Sequence, residues 1–440
     1  MQVSIETTSG LERRLTVGVP AERVDSEVKQ RLQKAAKTMR LDGFRPGKVP
    51  MNVVRQRFGA GMRQEVLGEV MSQSFYEAVS QENLKPAGQP NIEPKNLNEG
   101  QDIEFVATFE VFPDVELADL AGLKVKRPKT EINEEDITNM IETFRKQQGN
   151  YEIVERAAIL NDQVNLDYEG TRDGEAFDGG SAEDSDLILG SGRMIAGFED
   201  GIIGMTAGDE KQLSLSFPAD YHNEDLQGAA VEFKVKLNAV QEMALADLNE
   251  ELFEKFGVTE GGEENFREEI SKNMQRELKN AIKTQVKQQV MDGVVEAHEK
   301  IEVPSALIDQ EITGMRKQMF QQFGGSGAAP DLDLDSLLPA EMFSEEANKR
   351  VKLGLILNEF ISKEALKADA DKVRETIEEM AATYKDPQEV INHYYGNQEQ
   401  LASIESMVLE DQIVDKILES ADISDNECSY QEALDQSKQG

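Results

Sequence analysis

The sequence is poor in the residues from which many enzyme sites and cross-linked frameworks are built. Its 440 residues include one cysteine, no tryptophan and three histidines. The single thiol, Cys428, excludes an intramolecular disulfide framework and a cysteine-based zinc site, and it suits a reducing cytosol. The histidines lie far apart, at no spacing typical of metal ligands: His222, His298 and His393. We therefore expect no cofactor, no metal and no nucleophilic triad.

Long apolar runs are missing as well. The longest uncharged run has 13 residues, Gln318–Pro330, whereas a membrane span needs roughly 20 predominantly apolar residues. The first residues, MQVSIETTSGLERR, lack a basic segment followed by an apolar one, so no signal peptide is expected. The string GSGRMIAG fails as a dinucleotide-binding loop, because Ile195 stands at the third glycine position. A soluble, cytoplasmic protein with no membrane partner is expected.

Charge is distributed unevenly along the chain. There are 47 basic and 85 acidic residues, which gives a net charge of −38. Residues 1–113 hold 15 of each sign, so the acidic excess lies entirely in residues 114–440. This charge argues against a protein that coats nucleic acid along its whole surface. An anionic partner is expected at the N-terminal end.

Residues 1–113 predict an α+β domain. Apolar and polar residues alternate on both sides of Ser9-Gly10, which indicates two strands joined by a turn. Pro20 then opens a helix. The apolar positions of that helix recur every three or four residues: Val24, Val28, Leu32, Ala35 and Met39. A loop over residues 41–50, a long helix that ends near Asn83 and a strand over residues 103–112 follow.

A basic cluster surrounds the loop. Residues 23–63 hold 11 basic and 3 acidic side chains, which is either a solvated helix face or a docking surface for a phosphate-rich partner. The loop sequence GFRPGKVP favours docking. Its glycines and prolines form a projecting turn, and an exposed aromatic residue among basic ones is costly unless it meets a partner.

The string GFRPGKVP resembles the ribosome-docking signature of the trigger factor family, bacterial chaperones that bind at the site where nascent chains leave the ribosome. The helix that follows it is similar to that family too. The resemblance implies that Phe44, Arg45 and Pro46 meet protein and rRNA of the large ribosomal subunit beside the exit tunnel. It also implies that Gly43, Gly47 and Lys48 shape and charge the loop. Nascent and unfolded polypeptides are the implied clients, and a homodimer off the ribosome is a further candidate assembly.

Residues 151–243 predict a small, mostly antiparallel β domain. DQVNLDYEG, KQLSLSFP and EFKVKLNAV alternate apolar and polar residues, as half-buried strands do. Residues 151–242 carry 6 basic and 20 acidic side chains, which argues against nucleic acid as a ligand. The strings LDYEG, AFDGG, RMIAGFEDGIIGM, FPADYH and VEFKVKL resemble FKBP-type peptidyl-prolyl isomerases over this whole segment.

The FKBP resemblance places eight residues around a proline pocket: Tyr168, Phe177, Asp178, Met194, Ile195, Phe198, Tyr221 and Phe233. It implies that the Ile195 N–H holds a substrate carbonyl, while Asp178 and Tyr221 offer polar contacts. Taken alone, Phe177 and Phe233 are better explained as the core of a small barrel, and the ordered set of five strings favours the site. Two positions depart from the family. Ser185 stands where a pocket-wall aromatic residue is common, and Phe198 stands where free-standing members commonly have tryptophan.

Residues 244–440 predict helices, with no further strand after Asp247. One long helix carries apolar residues every four positions from Phe266 to Val294, and a second opens at Val303-Pro304 and ends at GGSGAAP. Other helices are expected over residues 340–368, 370–384 and 397–420, and SIESMVLEDQIVDKIL resembles the trigger factor C-terminus. Apolar residues at this helical spacing usually pack in the hydrophobic core. Methionine suits promiscuous binding, so four residues are candidates for client binding: Met315, Met319, Phe320 and Phe323.

These observations predict a multidomain α+β chain with four segments. They are a ribosome-binding domain (1–113), a linker (114–150), an FKBP-type isomerase domain (151–243) and an all-α chaperone domain with helical arms (244–440). The expected function is an ATP-independent, ribosome-associated chaperone that isomerises X-Pro bonds during protein folding and export. Two alternatives stay open: an isomerase whose helices serve as a dimerisation or recruiting scaffold, and a structural interaction protein with an inactive isomerase domain.

Overall fold

The computed structural model describes residues 1–38, 41, 44, 49–221, 223–322, 337–382, 384 and 386–438. The chain divides into two compact units. The first unit comprises residues 1–127 and 286–424, and the second comprises residues 128–285 and 425–440. The expected multidomain α+β class is confirmed, with antiparallel sheets and many helices.

The described strands, in chain order, are β1 (Gln2–Ser9), β2 (Glu12–Val19), β3 (Asn91–Asn96), β4 (Ile103–Glu110), β5 (Lys124–Lys129), β6 (Asn150–Ile153), β7 (Gln163–Arg172), β8 (Glu175–Ile188), β9 (Glu210–Ser216), β10 (Ala230–Ala244) and β11 (Asp422–Glu427). The described helices are α1 (Ala21–Thr38), α2 (Met51–Gln81), α3 (Glu134–Gln147), α4 (Phe198–Ile202), α5 (Glu250–Lys255), α6 (Gly262–Ala297), α7 (Ser305–Gln322), α8 (Ser344–Glu364), α9 (Ala370–Ala381), α10 (Pro387–Gly396), α11 (Gln398–Leu418) and α12 (Tyr430–Lys438).

The N-terminal sheet of the first unit has the order β1-β2-β4-β3, with every neighbouring pair antiparallel. Leu15, Val17 and Val19 of β2 are buried on alternating positions, as the sequence predicts, and they join one core with Phe75 of α2 and Phe105 of β4. The edge strand β3 was not predicted. It contains a proline, Pro94, which breaks a strand pattern in the sequence and is tolerated at a sheet edge.

Helices α1 and α2 flank the predicted docking loop. Helix α1 starts after Pro20 and α2 ends at Gln81, as expected. The buried face of α1 includes Ala36 rather than the predicted Ala35, which is half-buried. Met39, the last residue of the predicted stripe, lies outside the described residues.

The remainder of the first unit is helical, from the second part of α6 to α11. Buried His298 follows α6, and its Nε2 accepts a hydrogen bond from the Ala118 N–H at 2.9 Å. The start of α7 is capped by Glu110 of β4, whose Oε2 lies 2.8 Å from the Ser305 hydroxyl. Helix α7 packs on α8 around Ile312 and Ala347. The GGSGAAP segment lies outside the described residues.

In the second unit, α3, α5, the first part of α6 and α12 share an apolar core that includes Phe253, Phe266 and Tyr430. The expectation of no strand after Asp247 is wrong, because β11 pairs with β5. The reason is that β11 has the sequence DISDNE and is exposed along its length. Such a strand is held by backbone pairing and leaves no apolar alternation in the sequence.

The segment predicted to be an isomerase domain, residues 151–243, contains most of a five-stranded antiparallel sheet in the order β6-β10-β7-β8, with β9 also paired to β10. Strand β10 is long enough to pair with three strands, and its Val231, Phe233, Val235 and Leu237 are buried on alternating positions. The short helix α4 contributes Phe198 and Ile202 to the same core. The sheet and this helix position the candidate site.

Candidate functional site

Seven of the eight residues predicted for the proline pocket belong to one hydrophobic cluster. Phe198 and Phe233 are buried in it, and the others are half-buried at its margin: Tyr168, Phe177, Met194, Ile195 and Tyr221. The eighth residue, Asp178, is exposed and is not part of the cluster. The structure therefore brings together the apolar members of the predicted set, which come from five separate stretches of sequence.

Phe198 and Phe233 form the base of the aromatic cluster. Their ring centroids lie 5.3 Å apart and the rings are nearly perpendicular. Tyr168 of β7 meets the Phe198 ring edge-on, with 5.7 Å between the ring centroids. These distances are typical of favourable aromatic pairs. Phe198, in the place where the family commonly has tryptophan, is 0% exposed.

An irregularity in β8 turns Phe177 toward this cluster. Glu169 pairs with Ser181 and Thr171 pairs with Ala176, so residues 177–180 of β8 bulge opposite Gly170 alone. The Phe177 ring lies edge-on to Phe233 at 6.1 Å. A Cβ added to Gly170 would lie 2.6 Å from the Phe233 ring and 2.9 Å from the Phe177 ring. Glycine is required here because the two rings occupy the space of a side chain.

Phe217 is a site residue that the sequence analysis missed. It follows β9 and is 6% exposed, and it links two predicted residues by ring contacts, to Tyr221 at 4.6 Å and to Phe177 at 5.9 Å. The sequence did contain evidence for Phe217, because it is the first residue of the FPADYH string. His222 of the same string lies outside the described residues.

The loop between β8 and α4 is organised by one buried carboxylate, Glu199. Its oxygens accept hydrogen bonds from the backbone N–H groups of Gly190 at 2.7 Å, Gly192 at 3.2 Å, Arg193 at 3.0 Å and Met194 at 3.3 Å, and from the Ser191 hydroxyl at 3.2 Å. Burial raises the pKa of Glu199, but these hydrogen bonds outweigh it and hold that pKa below the ordinary value for glutamate. The sequence carried no distinctive signal for this role.

A second buried carboxylate, Asp162, anchors the start of β7. Arg156 donates two hydrogen bonds to it, at 2.6 and 2.9 Å, and the Ile159 N–H donates a third at 2.9 Å. Burial raises the pKa of Asp162, but the Arg156 guanidinium and the Ile159 N–H hold that pKa below its usual value. Ser185, the predicted departure in the pocket wall, is half-buried opposite Leu166 across β7 and β8.

In the predicted docking loop, Phe44 is 38% exposed and its N–H donates to the Leu41 carbonyl at 3.0 Å. The other predicted docking residues lie outside the described residues: Gly43, Arg45, Pro46, Gly47 and Lys48. The loop ends at two anchored points, because Leu41 and the buried Val49 pack in a small cluster with Leu32, Ala36 and Val54.

The basic residues around this loop divide into two groups. Arg23, Arg31 and Arg63 form ion pairs with Glu77, Glu69 and Asp25, all between α1 and α2. Within the described residues, five exposed basic side chains of these helices have no ion pair: Lys29, Lys34, Lys37, Arg55 and Arg57. The structure therefore uses part of the positive charge to join the two helices and leaves the rest at the surface.

Three of the four client-binding candidates lie in the second half of α7: Met315, Met319 and Phe320. Met315 and Met319 are half-buried and pack against the cluster of Ile312, Phe343 and Ala347. Phe320 is half-buried, and Phe323 lies outside the described residues. The methionines therefore have core contacts on one side and partial exposure on the other.

Two further findings concern the described part of the chain. It contains no group of three or more His, Cys, Asp or Glu side chains arranged to hold a metal ion. Among its helices, none combines the length and the apolar character that crossing a membrane requires.

Comparison with known families identifies three regions. Residues 1–144 match the family described as bacterial trigger factor protein, and residues 264–419 match the C-terminus of the same protein. Residues 155–238, which contain the aromatic cluster, match the FKBP-type peptidyl-prolyl cis-trans isomerase family.

Whole-length relatives agree with these matches. The trigger factor of Cellvibrio japonicus is 55% identical over 434 residues, which cover 99% of each chain. The trigger factor of Teredinibacter turnerae is 53% identical over 99% of this chain and 98% of its own. A solved structure of a trigger factor chaperone, concerned with promiscuous substrate recognition in folding and assembly, aligns with 95% of this chain and 99% of its own, at 16% identity and a TM-score of 0.47. This chain therefore belongs to the trigger factor family, chaperones that carry an FKBP-type peptidyl-prolyl isomerase domain.

Proposed function

We propose that the aromatic cluster around Phe198 and Phe233 is the site at which this chain isomerises X-Pro bonds. The observation that carries the proposal is the assembly of seven predicted pocket residues in one hydrophobic cluster. A second observation supports it: within the described residues, the Ile195 N–H donates to no acceptor, while the four amides of Gly190, Gly192, Arg193 and Met194 all donate to Glu199.

The chemistry fits these residue types. Rotation about a peptide bond has a barrier of about 18–20 kcal/mol because resonance stiffens the C–N bond. The twisted state loses that resonance, so an apolar aromatic wall that removes water from the amide favours it over the planar states. The Ile195 N–H holds the carbonyl of the substrate while the bond rotates. The proline ring contacts the half-buried Tyr168 and Tyr221 above the buried Phe198, and Asp178 and Tyr221 offer polar contacts at the rim.

Two half-buried residues test the pocket with little risk to the fold. Met194→Ala and Ile195→Ala should lower kcat/KM for proline-limited refolding of a test protein by about tenfold, the effect of removing a small apolar contact from a binding pocket. Ile203→Ala is the matched control, since Ile203 is an exposed apolar residue of the same segment outside the cluster. Unchanged kcat/KM in both pocket variants would contradict the proposal, and it would favour an interaction protein with an inactive isomerase domain.

We also propose that the loop around Phe44 docks the chain on the large ribosomal subunit in the cytoplasm, where it meets nascent and unfolded polypeptides. The support is the exposed Phe44 between two anchored loop ends, with five exposed basic side chains on the adjoining helices that form no ion pair within the described part of the chain. Lys and Arg give affinity for rRNA by releasing counterions, and the aromatic ring adds a contact that charge alone does not provide. In this proposal residues 1–113 dock, residues 114–150 connect, residues 151–243 isomerise and residues 244–440 hold clients.

Ribosome co-sedimentation of the full-length chain tests the docking loop. Replacing Phe44, Arg45 and Pro46 together with Ala should abolish co-sedimentation and leave isomerase rates unchanged. The control is Tyr76→Ala, an aromatic residue of α2 that is 58% exposed and lies outside the loop. Binding by the unchanged chain should weaken as salt rises. Undiminished binding of the triple variant would refute the loop assignment, and it would leave isomerisation with a recruiting scaffold as the better description.

Client binding is proposed for the exposed sides of Met315, Met319 and Phe320, together with Phe323. Met315→Ala and Met319→Ala should weaken suppression of aggregation of a test protein without changing isomerase rates. Sedimentation of the free chain over a range of concentrations would show whether a second copy of the chain is also a partner.

A further inference from the structure

Glu199 lies beside the candidate pocket, and its carboxylate reaches a pocket residue through the backbone N–H of Met194. It is the second residue of α4, directly after Phe198, and its side chain is buried. Its Oε2 accepts from the N–H groups of Gly190 and Gly192, and its Oε1 accepts from those of Arg193 and Met194 and from the Ser191 hydroxyl. A buried carboxylate with five donors is well compensated for the loss of water.

The segment held by this carboxylate has no regular secondary structure of its own. Gly190 and Gly192 have φ values of 92° and 67°, which place their N–H groups in directions that a strand or helix does not allow. Without Glu199, the N–H groups of Gly190, Gly192, Arg193 and Met194 would lose their common acceptor, and the loop would have to rearrange to find others. The carboxylate is therefore the element that sets the loop conformation.

The loop ends at the residue that meets the substrate. Met194 donates to Glu199, whereas the next amide, that of Ile195, has no acceptor within the described residues. The Ile195 carbonyl is occupied, because it accepts from the Phe198 N–H at 3.0 Å. The direction of the Ile195 N–H is thus determined on one side by the Met194–Glu199 hydrogen bond and on the other by the first turn of α4.

We propose that Glu199 is a positioning residue for prolyl isomerisation: its carboxylate holds the amides of Gly190, Gly192, Arg193 and Met194, and this fixes the loop so that the Ile195 N–H is presented to the substrate carbonyl. The proposal rests on the pocket assigned above. It also explains why a carboxylate and not an amide stands here. A glutamine would offer one acceptor oxygen, and its NH₂ group would face N–H donors of the loop.

The test separates positioning from stability by its kinetic signature. In the full-length chain, Glu199→Gln should raise KM for a tetrapeptide with one X-Pro bond by about tenfold, the effect of losing roughly one hydrogen bond to the substrate, with kcat nearly unchanged. Loss of uniform binding raises KM in this way, whereas partial unfolding lowers the active fraction and therefore the apparent kcat. Asp200→Asn is the control, since Asp200 is the next residue of α4 and is exposed.

A milder variant covers the case in which Glu199→Gln does not fold. Ser191→Ala removes one of the five donors from an exposed residue, and it should raise KM about twofold to threefold with an unchanged unfolding temperature. In the unchanged chain, the Ile195 amide signal in a ¹H–¹⁵N NMR spectrum should shift when the tetrapeptide is added, and in Ser191→Ala this shift should require more peptide.

Three results would overturn the inference: unchanged KM in a folded Glu199→Gln variant, a fall in kcat without a change in KM, or no effect of Ser191→Ala on KM or on the Ile195 titration. Failure of the pocket itself is recognised separately. In that case Met194→Ala and Ile195→Ala also leave kcat/KM unchanged, whereas failure of the Glu199 inference alone leaves those two variants impaired.

Discussion

Phe198 and Phe44 lie in the two proposed sites of this chain, in opposite surroundings. Phe198 is completely buried and contacts two aromatic rings. Phe44 is 38% exposed in a loop whose two ends are anchored by a small apolar cluster. In the isomerase segment, the residues proposed to bind substrate also hold the fold together. In the docking loop, Phe44 is proposed to bind the ribosome, and its exposed ring contributes little to the fold.

The largest difference in stability between the two regions is expected when Phe198 and Phe44 are each replaced with alanine. Phe198→Ala should reduce the free energy of unfolding of the isomerase segment by about 3–5 kcal/mol, because a large buried side chain leaves a cavity. Phe44→Ala should change stability by less than about 0.5 kcal/mol, as surface substitutions usually do. Amide hydrogen exchange, read separately for residues 151–243 and 1–113, measures both. Similar losses in the two variants would contradict the contrast.

The same glycine-to-alanine change should have opposite signs in the two regions. Gly170→Ala should destabilise the isomerase segment by about 1–3 kcal/mol, because the added Cβ would overlap the Phe233 and Phe177 rings. Gly68→Ala in the exposed face of α2 should stabilise by roughly 0.5–1 kcal/mol, since nothing lies within 4 Å of the added Cβ and alanine favours a helix. Hydrogen exchange in β7 and in α2 reports the two changes. A stabilised Gly170→Ala variant would show that the rings move aside.

Acid should weaken the isomerase segment through its two buried carboxylates. The pKa values of Asp162 and Glu199 are lower in the folded state than their ordinary values, which are about 3.9 and 4.3. Their contribution to stability is therefore complete above those ordinary values and is lost as pH falls through the lower folded-state values. Urea unfolding of the segment at pH 7 and at a series of values below pH 4 measures this loss.

The variant Asp162→Asn tests how much of the loss of stability in acid comes from Asp162. The variant should be less stable than the unchanged chain at pH 7, because Arg156 loses the buried one of its two charged partners and keeps only the exposed Glu242. Its stability should also depend less on pH below pH 4. An unchanged acid dependence in Asp162→Asn would show that other carboxylates carry the effect.

The smallest effect is expected from single charges of the proposed docking surface. Lys34→Gln should reduce the slope of log affinity for ribosomes against log salt concentration by about 1, as loss of one phosphate contact does. Arg23→Gln should change this slope less, because Arg23 already pairs with Glu77 at 2.7 Å. Ribosome co-sedimentation at several salt concentrations compares the two variants. Equal slopes would show that Lys34 does not face the rRNA.

Whether an element buries one apolar face also explains which strands and helices the sequence could predict. The strands β7, β9 and β10 and the helices α1, α2, α6 and α7 were predicted, because each buries one face and so has a regular apolar period. Strands β3, β5 and β11 were missed, since an edge proline in β3 and the polar sequence of β11 hide the period. The short helices α5 and α10 and the C-terminal helix α12 were missed as well, because each has only a few turns.

The same limit on prediction from the sequence applies to single residues of the candidate site. Phe217 could have been found, because it stands in a recognised string and is aromatic. Glu199 could not, because an acidic residue in the first turn of a helix is common and its five donors are gathered only when residues 190–194 fold around it.

The sequence by itself determined the family, the isomerase segment and the GFRPGKVP loop, because these are carried by local strings and by periodic burial. Only the tertiary structure decided how the residues of those strings are used. Arg23, Arg31 and Arg63 join two helices while Lys29, Lys34 and Lys37 remain at the surface, and the choice depends on which acidic residues the facing helix brings opposite each of them. The role of Glu199 likewise depends on which backbone N–H groups the fold brings to its carboxylate. Hydrogen bonds and ion pairs depend on distances between residues remote in sequence, and only the folded chain determines those distances.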